Sequence, residues 1–303
     1  MSKTALIDEI NKLKKEKNAV ILAHCYEHAE IDEVADFVGD SLYLSRKAAK
    51  TDADIVVFCG VYFMAETAKI LSPNKKVLLP NLSAGCAMAD MINLEKIKDF
   101  KAKNPNIPVV CYVNSTAEVK SECDICCTSA NAVEIVKSLS TDKVLFVPDR
   151  NLGGYVQSKL SDIEVICYNG CCPIHNDLTV DDVLKQKKAN PNAKVLVHPE
   201  CVKAVTDLAD YVGSTTGIMN YVKNSDEREF IIVTEIGVVE RLERDYKNKK
   251  FIHISERAIC QSMKYIQLED VLAALKEEKF EINVSEKLIK EAYAPIEKMI
   301  AVG

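Results

Sequence analysis

This 303-residue chain has no basic excess, no long apolar run, no glycine-rich nucleotide fingerprint and no Gly/Ser linker. Each absence removes a class of protein. Lys and Arg total 39 against 45 Asp and Glu, a formal net charge of −6, so the electrostatic footprint of a polyanion binder is missing and no nucleic acid partner is expected. Apolar stretches stop well short of the roughly 20 residues a membrane helix requires, so no membrane partner is expected either. The opening segment MSKTALIDEINKLKKEKNAV mixes charge with an amphipathic pattern and has no apolar secretory core, which points to a cytoplasmic protein. No GxGxxG follows any strand-like run, which disfavours ordinary nicotinamide-dependent oxidoreductase chemistry.

What is present is an ordinary globular balance, 48% hydrophobic and 28% charged, together with 12 cysteines. In a reducing compartment these are thiols, metal ligands or small buried hydrophobes rather than a disulfide framework. Short apolar runs rich in Val and Ile, such as NAVILAHCY, DIVVFCGV, IPVVCYV, KVLFVPD, AKVLVHP and FIIVTEI, alternate with helix-period segments. That alternation predicts βαβ units, parallel sheets covered on both faces and an α/β class.

Aligned against itself, the chain repeats. Strand ends occur at His24-Cys25-Tyr26, Tyr112-Val113-Asn114 and His198-Pro199-Glu200, with successive offsets of 88 and 86 positions. Ser/Thr turns before helices carry Ser41, Ser129 and Thr215 at the same offsets, and loops after later strands reach Cys86, Cys172 and Cys260 at offsets of 86 and 88. Three small α/β units around a pseudo-threefold axis are therefore expected over residues 1–86, 87–172 and 173–260. A helical tail over 261–303 follows, suited to packing.

Ligands of open parallel sheets bind beyond the carboxyl ends of the strands, where all these residues fall. Three thiolates converging from three loops suit a soft metal centre. Zinc could complete a Cys3His site with His175, and a four-iron four-sulfur cluster on three cysteines would keep one iron free of protein ligands. Helix N-termini at the three turns favour a ligand with several anionic groups. His24, Tyr26, Tyr112, His198 and Glu200 supply acid, base and hydrogen-bonding groups. The CDICC segment from Cys123 to Cys127 contains a CxxC pair but no second pair at zinc spacing. It reads as packing, as do Cys25, Cys59, Cys111, Cys167 and Cys201, and as do His28 and His253.

The motifs AHCY (23–26), GDSLYLS (39–45), YVNS (112–115), CTSANA (127–132), HPEC (198–201) and GSTTG (213–217) together resemble the quinolinate synthase family, over nearly the whole chain. The resemblance implies three homologous α/β/α units with a 4Fe-4S cluster at their central interface, held by Cys86, Cys172 and Cys260. In the family pattern the ligand cysteine lies three residues before a histidine, which selects Cys172, with His175, over Cys171. The implied reaction condenses iminoaspartate with dihydroxyacetone phosphate to quinolinate, phosphate and water, within NAD biosynthesis. Substrate contacts carried over are His24, Ser41, Tyr112, Val113, Asn114, Ser129, His198, Pro199, Glu200 and Thr215. Tyr26, His175, His198 and Glu200 are the implied catalytic groups, and the open iron serves as Lewis acid. Functional coupling to an aspartate-oxidising enzyme, the source of the unstable imine, is also implied. A C-terminal CxxCxxC segment carried by some members is missing here, where CQSMKY holds Cys260 alone, so disulfide regulation of that kind is not expected. Two other readings stay open: a radical enzyme of the diphthamide-synthesis type, and a non-enzymatic metal sensor or zinc-stabilised scaffold.

Overall fold

The computed structural model describes residues 1–302. Twelve strands form three four-stranded, wholly parallel sheets. The first contains β1 (Ala19–His24), β2 (Phe37–Gly39), β3 (Ile55–Cys59) and β4 (Lys76–Leu78) in the order β2-β1-β3-β4. The second contains β5 (Val109–Tyr112), β6 (Ile125–Cys127), β7 (Lys143–Val147) and β8 (Glu164–Cys167) in the order β6-β5-β7-β8. The third contains β9 (Lys194–Val197), β10 (Tyr211–Val212), β11 (Glu229–Val233) and β12 (Lys250–His253) in the order β10-β9-β11-β12. The class is α/β, and one strand order occurs three times.

The central strands are near-continuous Val, Ile and Leu because helices cover both of their faces. The edge strands β2, β6 and β10 are not evident in the sequence. They are two or three residues long, and two of them are only half buried, so no apolar run marks them. They nonetheless begin at Phe37, Ile125 and Tyr211, the same offsets of 88 and 86, and each leads directly into a Ser/Thr turn.

The turns themselves differ from expectation. Asp40, not Ser41, caps helix Ser41–Lys50 by accepting from the Tyr43 N–H at 3.0 Å, and Ser214, not Thr215, caps helix Thr215–Asn224. Ser129 lies ahead of Asn131, after which helix Ala132–Lys137 begins. Ser41 and Thr215 occupy the first helical position, so their hydroxyls are not engaged in capping their own helices.

The helix after the third strand of each unit leans on the next sheet. From helix Tyr62–Leu71, Thr67 Oγ1 accepts from Lys120 at 2.8 Å and Glu66 accepts from the Ala117 N–H at 3.0 Å. From helix Arg150–Ser158, Asn151 donates to the Glu200 carbonyl at 2.9 Å and Tyr155 to the Val212 carbonyl at 3.4 Å. From helix Ile236–Asp245, Arg241 donates to the Cys25 carbonyl and to the Asp32 carboxylate. First onto second, second onto third and third onto first, these contacts close a ring. Gly237 allows the last approach, since a Cβ there would lie 2.8 Å from the Cys25 carbonyl oxygen.

The tail forms helices Leu268–Glu277 and Glu286–Ala301. The first packs on helix Lys3–Glu16, and the second on β6 and on helices Ala117–Ser121 and Tyr62–Leu71. Between them, the Ile282 N–H reaches the Val77 carbonyl at the edge of the first sheet, 2.8 Å away.

Candidate active site

Cys86, Cys172 and Cys260 leave the loops after β4, β8 and β12 and line one cavity of about 240 Å³, with Val61, Phe63 and Met263 among its apolar walls. Cys171 does not line it; its N–H points to the Met91 sulfur. Burial pushes the Cys86 thiol up to about 12 and the Cys260 thiol up to about 11. Burial thus disfavours the thiolate form at both.

A second cavity of about 50 Å³ is lined by His24, Ser41, Tyr112, Asn114, Ser129, His198, Glu200 and Thr215, a set drawn from all three sheets. Tyr26, Asn114, Glu200 and Met263 line both cavities and so form the wall between them. Val113 and Pro199 line neither. The Val113 N–H extends the β5–β6 pairing to the Cys127 carbonyl at 2.8 Å. Strand alternation turns the middle residue of each strand-end triplet away from its neighbours.

A chain of hydrogen bonds joins the groups. The Tyr26 hydroxyl lies 3.0 Å from Thr215 Oγ1 and 2.9 Å from Thr234 Oγ1, and Thr234 Oγ1 lies 2.8 Å from His175 Nε2. His175 Nδ1 is 2.7 Å from Glu200 and 3.2 Å from the Cys172 sulfur. Its ring stacks on His198 with centroids 4.6 Å apart. Thr234 is a residue that sequence reasoning missed. The repeat aligns it with Gly60 and Pro148, neither of which bears a hydroxyl, so the three-way match conceals it.

Electrostatics assign protonation states. Burial holds His24 and His198 down at about 3, so both rings are neutral and each can accept as well as donate. Burial acts to raise Glu200, but His175, His198 and the Tyr112 hydroxyl together outweigh it and leave the carboxyl at about 2, a carboxylate. Burial pushes Tyr26 and Tyr112 well above the usual phenol range, so both stay protonated. Asp149 behind Cys172 is raised to about 7, first by burial and then by the charge of Glu200. Of the buried side-chain oxygens without a hydrogen-bond partner, Asn114 Oδ1 and Glu200 Oε1 belong to residues of the shared wall.

Among the described residues, one group of three metal-binding side chains has its ligand atoms within 4.8 Å of one another: Cys172, His175 and Glu200. Cys123, Cys126 and Cys127 are buried packing residues, and His28 Nε2 donates to the Lys264 carbonyl at 3.0 Å, away from both cavities. No helix among the described residues is long and apolar enough to cross a membrane.

Comparison with known proteins agrees on one family. The model of the Quinolinate synthetase A protein family matches residues 8–301. A quinolinate synthase of Alkaliphilus metalliredigens is 53% identical over 305 residues, covering 100% of both chains. A quinolinate synthase of Dehalococcoides mccartyi is 52% identical and covers 97% of each, and quinolinate synthase 1 of Methanosarcina acetivorans is 49% identical over 100% of this chain and 99% of its own. With matches of this extent, the chain belongs to the quinolinate synthetase A family.

Proposed function

We propose that this chain is a cytoplasmic quinolinate synthase that condenses iminoaspartate with dihydroxyacetone phosphate to quinolinate, phosphate and water, supplied with the imine by an aspartate-oxidising enzyme. The observation that carries the reading is the convergence of three loop cysteines on one cavity, walled by Tyr26, Asn114 and Glu200 from a second cavity that collects Ser41, Ser129 and Thr215.

The donor set fits a 4Fe-4S cluster held by Cys86, Cys172 and Cys260. Three cysteines from three loops lining one cavity with Val61, Phe63 and Met263 are the thiolate donors and the apolar surroundings that such a cluster takes. When bound through three cysteines, such a cluster keeps one iron without a protein ligand, a Lewis acid for a hydroxyl or carboxylate.

The chain's own groups divide the remaining work. Ser41 and Thr215, in the first turns of their helices, and Ser129 present hydroxyls and nearby N–H groups to carboxylate or phosphate oxygens. Asn114 Oδ1 and Glu200 Oε1, buried without partners, are ready to accept from substrate N–H or O–H groups, which would remove the cost of leaving them unpaired. The Glu200 carboxylate is the base in reach of both cavities, and the Tyr26 hydroxyl is the acid at the other end of the Thr234–His175 chain. Neutral His24 and His198 can orient a carbonyl or imine nitrogen by donating from one ring nitrogen.

The test is anaerobic purification with assay of iron, sulfide and zinc, followed by quinolinate formation from freshly generated iminoaspartate and dihydroxyacetone phosphate. About four irons and four sulfides per chain with product formed is the expected result. One zinc, no sulfide and no product would instead support a mononuclear site at Cys172, His175 and Glu200, the group that lies within 4.8 Å, and would sink the proposal. Cys172→Ser should abolish both cluster and turnover; survival of both, with loss in Cys171→Ser, would overturn the ligand assignment.

A further inference from the structure

We propose that Asp149 and Glu235 are positioning residues that clamp two of the three cluster cysteines through their main-chain N–H groups. The inference rests on the reading of Cys86, Cys172 and Cys260 as cluster ligands. Asp149 follows β7 and opens helix Arg150–Ser158; its Oδ1 accepts from the Leu152 N–H at 2.7 Å and its Oδ2 from the Cys172 N–H at 2.9 Å. Glu235 follows β11 and opens helix Ile236–Asp245; its Oε2 accepts from the Gly237 N–H at 2.7 Å and its Oε1 from the Cys260 N–H at 3.3 Å. Lys264 Nζ stands 3.5 Å from that same Oε1. Both carboxylates are wholly buried.

The two residues are 86 positions apart, the offset of the repeat, so one device occurs in two units. The corresponding position of the first unit is Val61, at the start of helix Tyr62–Leu71, where no side chain caps the helix. What all three units share is a backbone tether between that helix start and the cysteine loop. Tyr62 N–H reaches the Ala84 carbonyl at 2.8 Å, Arg150 N–H the Gly170 carbonyl at 2.8 Å, and Ile236 N–H the Ala258 carbonyl at 2.9 Å. The tether alone holds each loop in register with its sheet. The carboxylates are additions, and each spends its second oxygen on the cysteine itself.

Capping alone does not require this arrangement. One oxygen suffices to cap a helix, as Asn93 does for helix Leu94–Lys103. A carboxylate can accept at both oxygens, whereas an amide accepts at one and turns an NH2 group against the other N–H. Asp149→Asn and Glu235→Gln therefore lose either the cap or the cysteine bond while keeping shape. Groups that orient metal ligands in this way typically alter metal affinity by about 10- to 100-fold when changed.

The experiment compares wild type, Asp149→Asn and Glu235→Gln, each purified anaerobically as the full chain. Iron release to a chelator, the paramagnetic resonance spectrum of the reduced cluster and the thermal midpoint of the metal-free protein are measured. The expected result is a cluster that forms in both variants, releases iron about tenfold faster or more than wild type, and shows an altered spectrum. The conservative exchanges Asp149→Glu and Glu235→Asp should recover part of the retention. Lower thermal midpoints with wild-type iron release and spectrum would mean that the carboxylates only cap helices, and the clamp would be wrong. The variants lie in different units, so failure of one to fold leaves the other as the test. A wild-type chain without the cluster would defeat the ligand reading itself, a result distinct from intact clusters in both variants.

Discussion

Arg241 and Lys120 are the two bulkiest side chains that the fold buries completely, and each lies in a seam between sheets. In the seam from third sheet to first, the cation stands on the leaning helix and Asp32 on the receiving side. Asp32 takes Arg241 on one oxygen and Arg244 on the other, the latter at 2.6 Å. In the seam from first sheet to second the roles are exchanged. The receiving side carries Lys120, at the repeat equivalent of Asp32, and the helix carries Thr67, at the equivalent of Arg241. Lys120 donates to the Thr67 hydroxyl at 2.8 Å and the Phe63 carbonyl at 3.4 Å rather than to a carboxylate. The repeat thus sets where a polar pair must sit in each seam but leaves its chemistry free. One seam is held by ionic pairing, while the other tolerates a charge.

The largest effect should come from breaking the ionic seam. Asp32→Ala leaves the buried Arg241 guanidinium with carbonyl partners and no paired carboxylate, and removal of one partner from a buried pair costs about 3–5 kcal/mol. Urea unfolding followed by circular dichroism should show that loss; a change under about 1 kcal/mol would mean that packing, not pairing, holds the third sheet to the first. The matching change in the other seam, Thr67→Val, removes the nearest acceptor of Lys120 and should cost about 1–3 kcal/mol, the usual penalty of an unsatisfied buried donor. In a Lys120→Met background that penalty should vanish. A persisting loss would locate the role of Thr67 in its other bond, to the Phe63 carbonyl at 2.7 Å.

Lys120→Met by itself should leave stability unchanged or raise it by about 1 kcal/mol, since an apolar replacement avoids the desolvation of a buried charge. The pH dependence gives the sharper measurement. Burial lowers the Lys120 pKa below its ordinary 10.5, against the pull of Glu66 and of the Cys126, Cys111 and Cys123 thiols around it. The unfolded chain then binds more protons than the folded one between the lowered pKa and 10.5, so this group makes stability rise with pH through that window. The cost is fully present below the folded pKa. Lys120→Met should flatten the rise; an unchanged slope between pH 7 and 10 would show that Lys120 does not supply it.

Much of this architecture is legible in the sequence because the repeat preserves geometry. His24, Tyr112 and His198, and Ser41, Ser129 and Thr215, come to one cavity from offsets of 88 and 86, and the strand runs that announce the sheets are buried on both faces. Self-comparison fails wherever the units diverge. Thr234 has Gly60 and Pro148 as counterparts, and Asp149 and Glu235 match each other but meet Val61 in the first unit, so no threefold signature marks them. Arg241 and Lys120 defy the surface preference of cations, and only the fold reveals that a seam encloses them. The tail, read as packing, also receives polar contacts: Asn131 donates to the Met299 and Val302 carbonyls at 3.0 Å, tying the last helix to the turn that carries Ser129.

The third seam supplies the smallest effect and the control for the other two. There Tyr155 stands at the equivalent of Arg241 and Thr67, and Thr206 at the equivalent of Asp32 and Lys120. The Tyr155 hydroxyl reaches the Val212 carbonyl only at 3.4 Å, beyond the usual hydrogen-bond range, and a cavity of about 110 Å³ lies between Tyr155, Thr206 and Cys201. No charge is buried here and the bond is long, so Tyr155→Phe should cost less than about 0.5 kcal/mol. A loss near that of Thr67→Val would mean that polar pairing at the repeat position matters whatever its chemistry. A negligible loss would mean that a seam position becomes costly to alter only when the fold has enclosed a cation beside it.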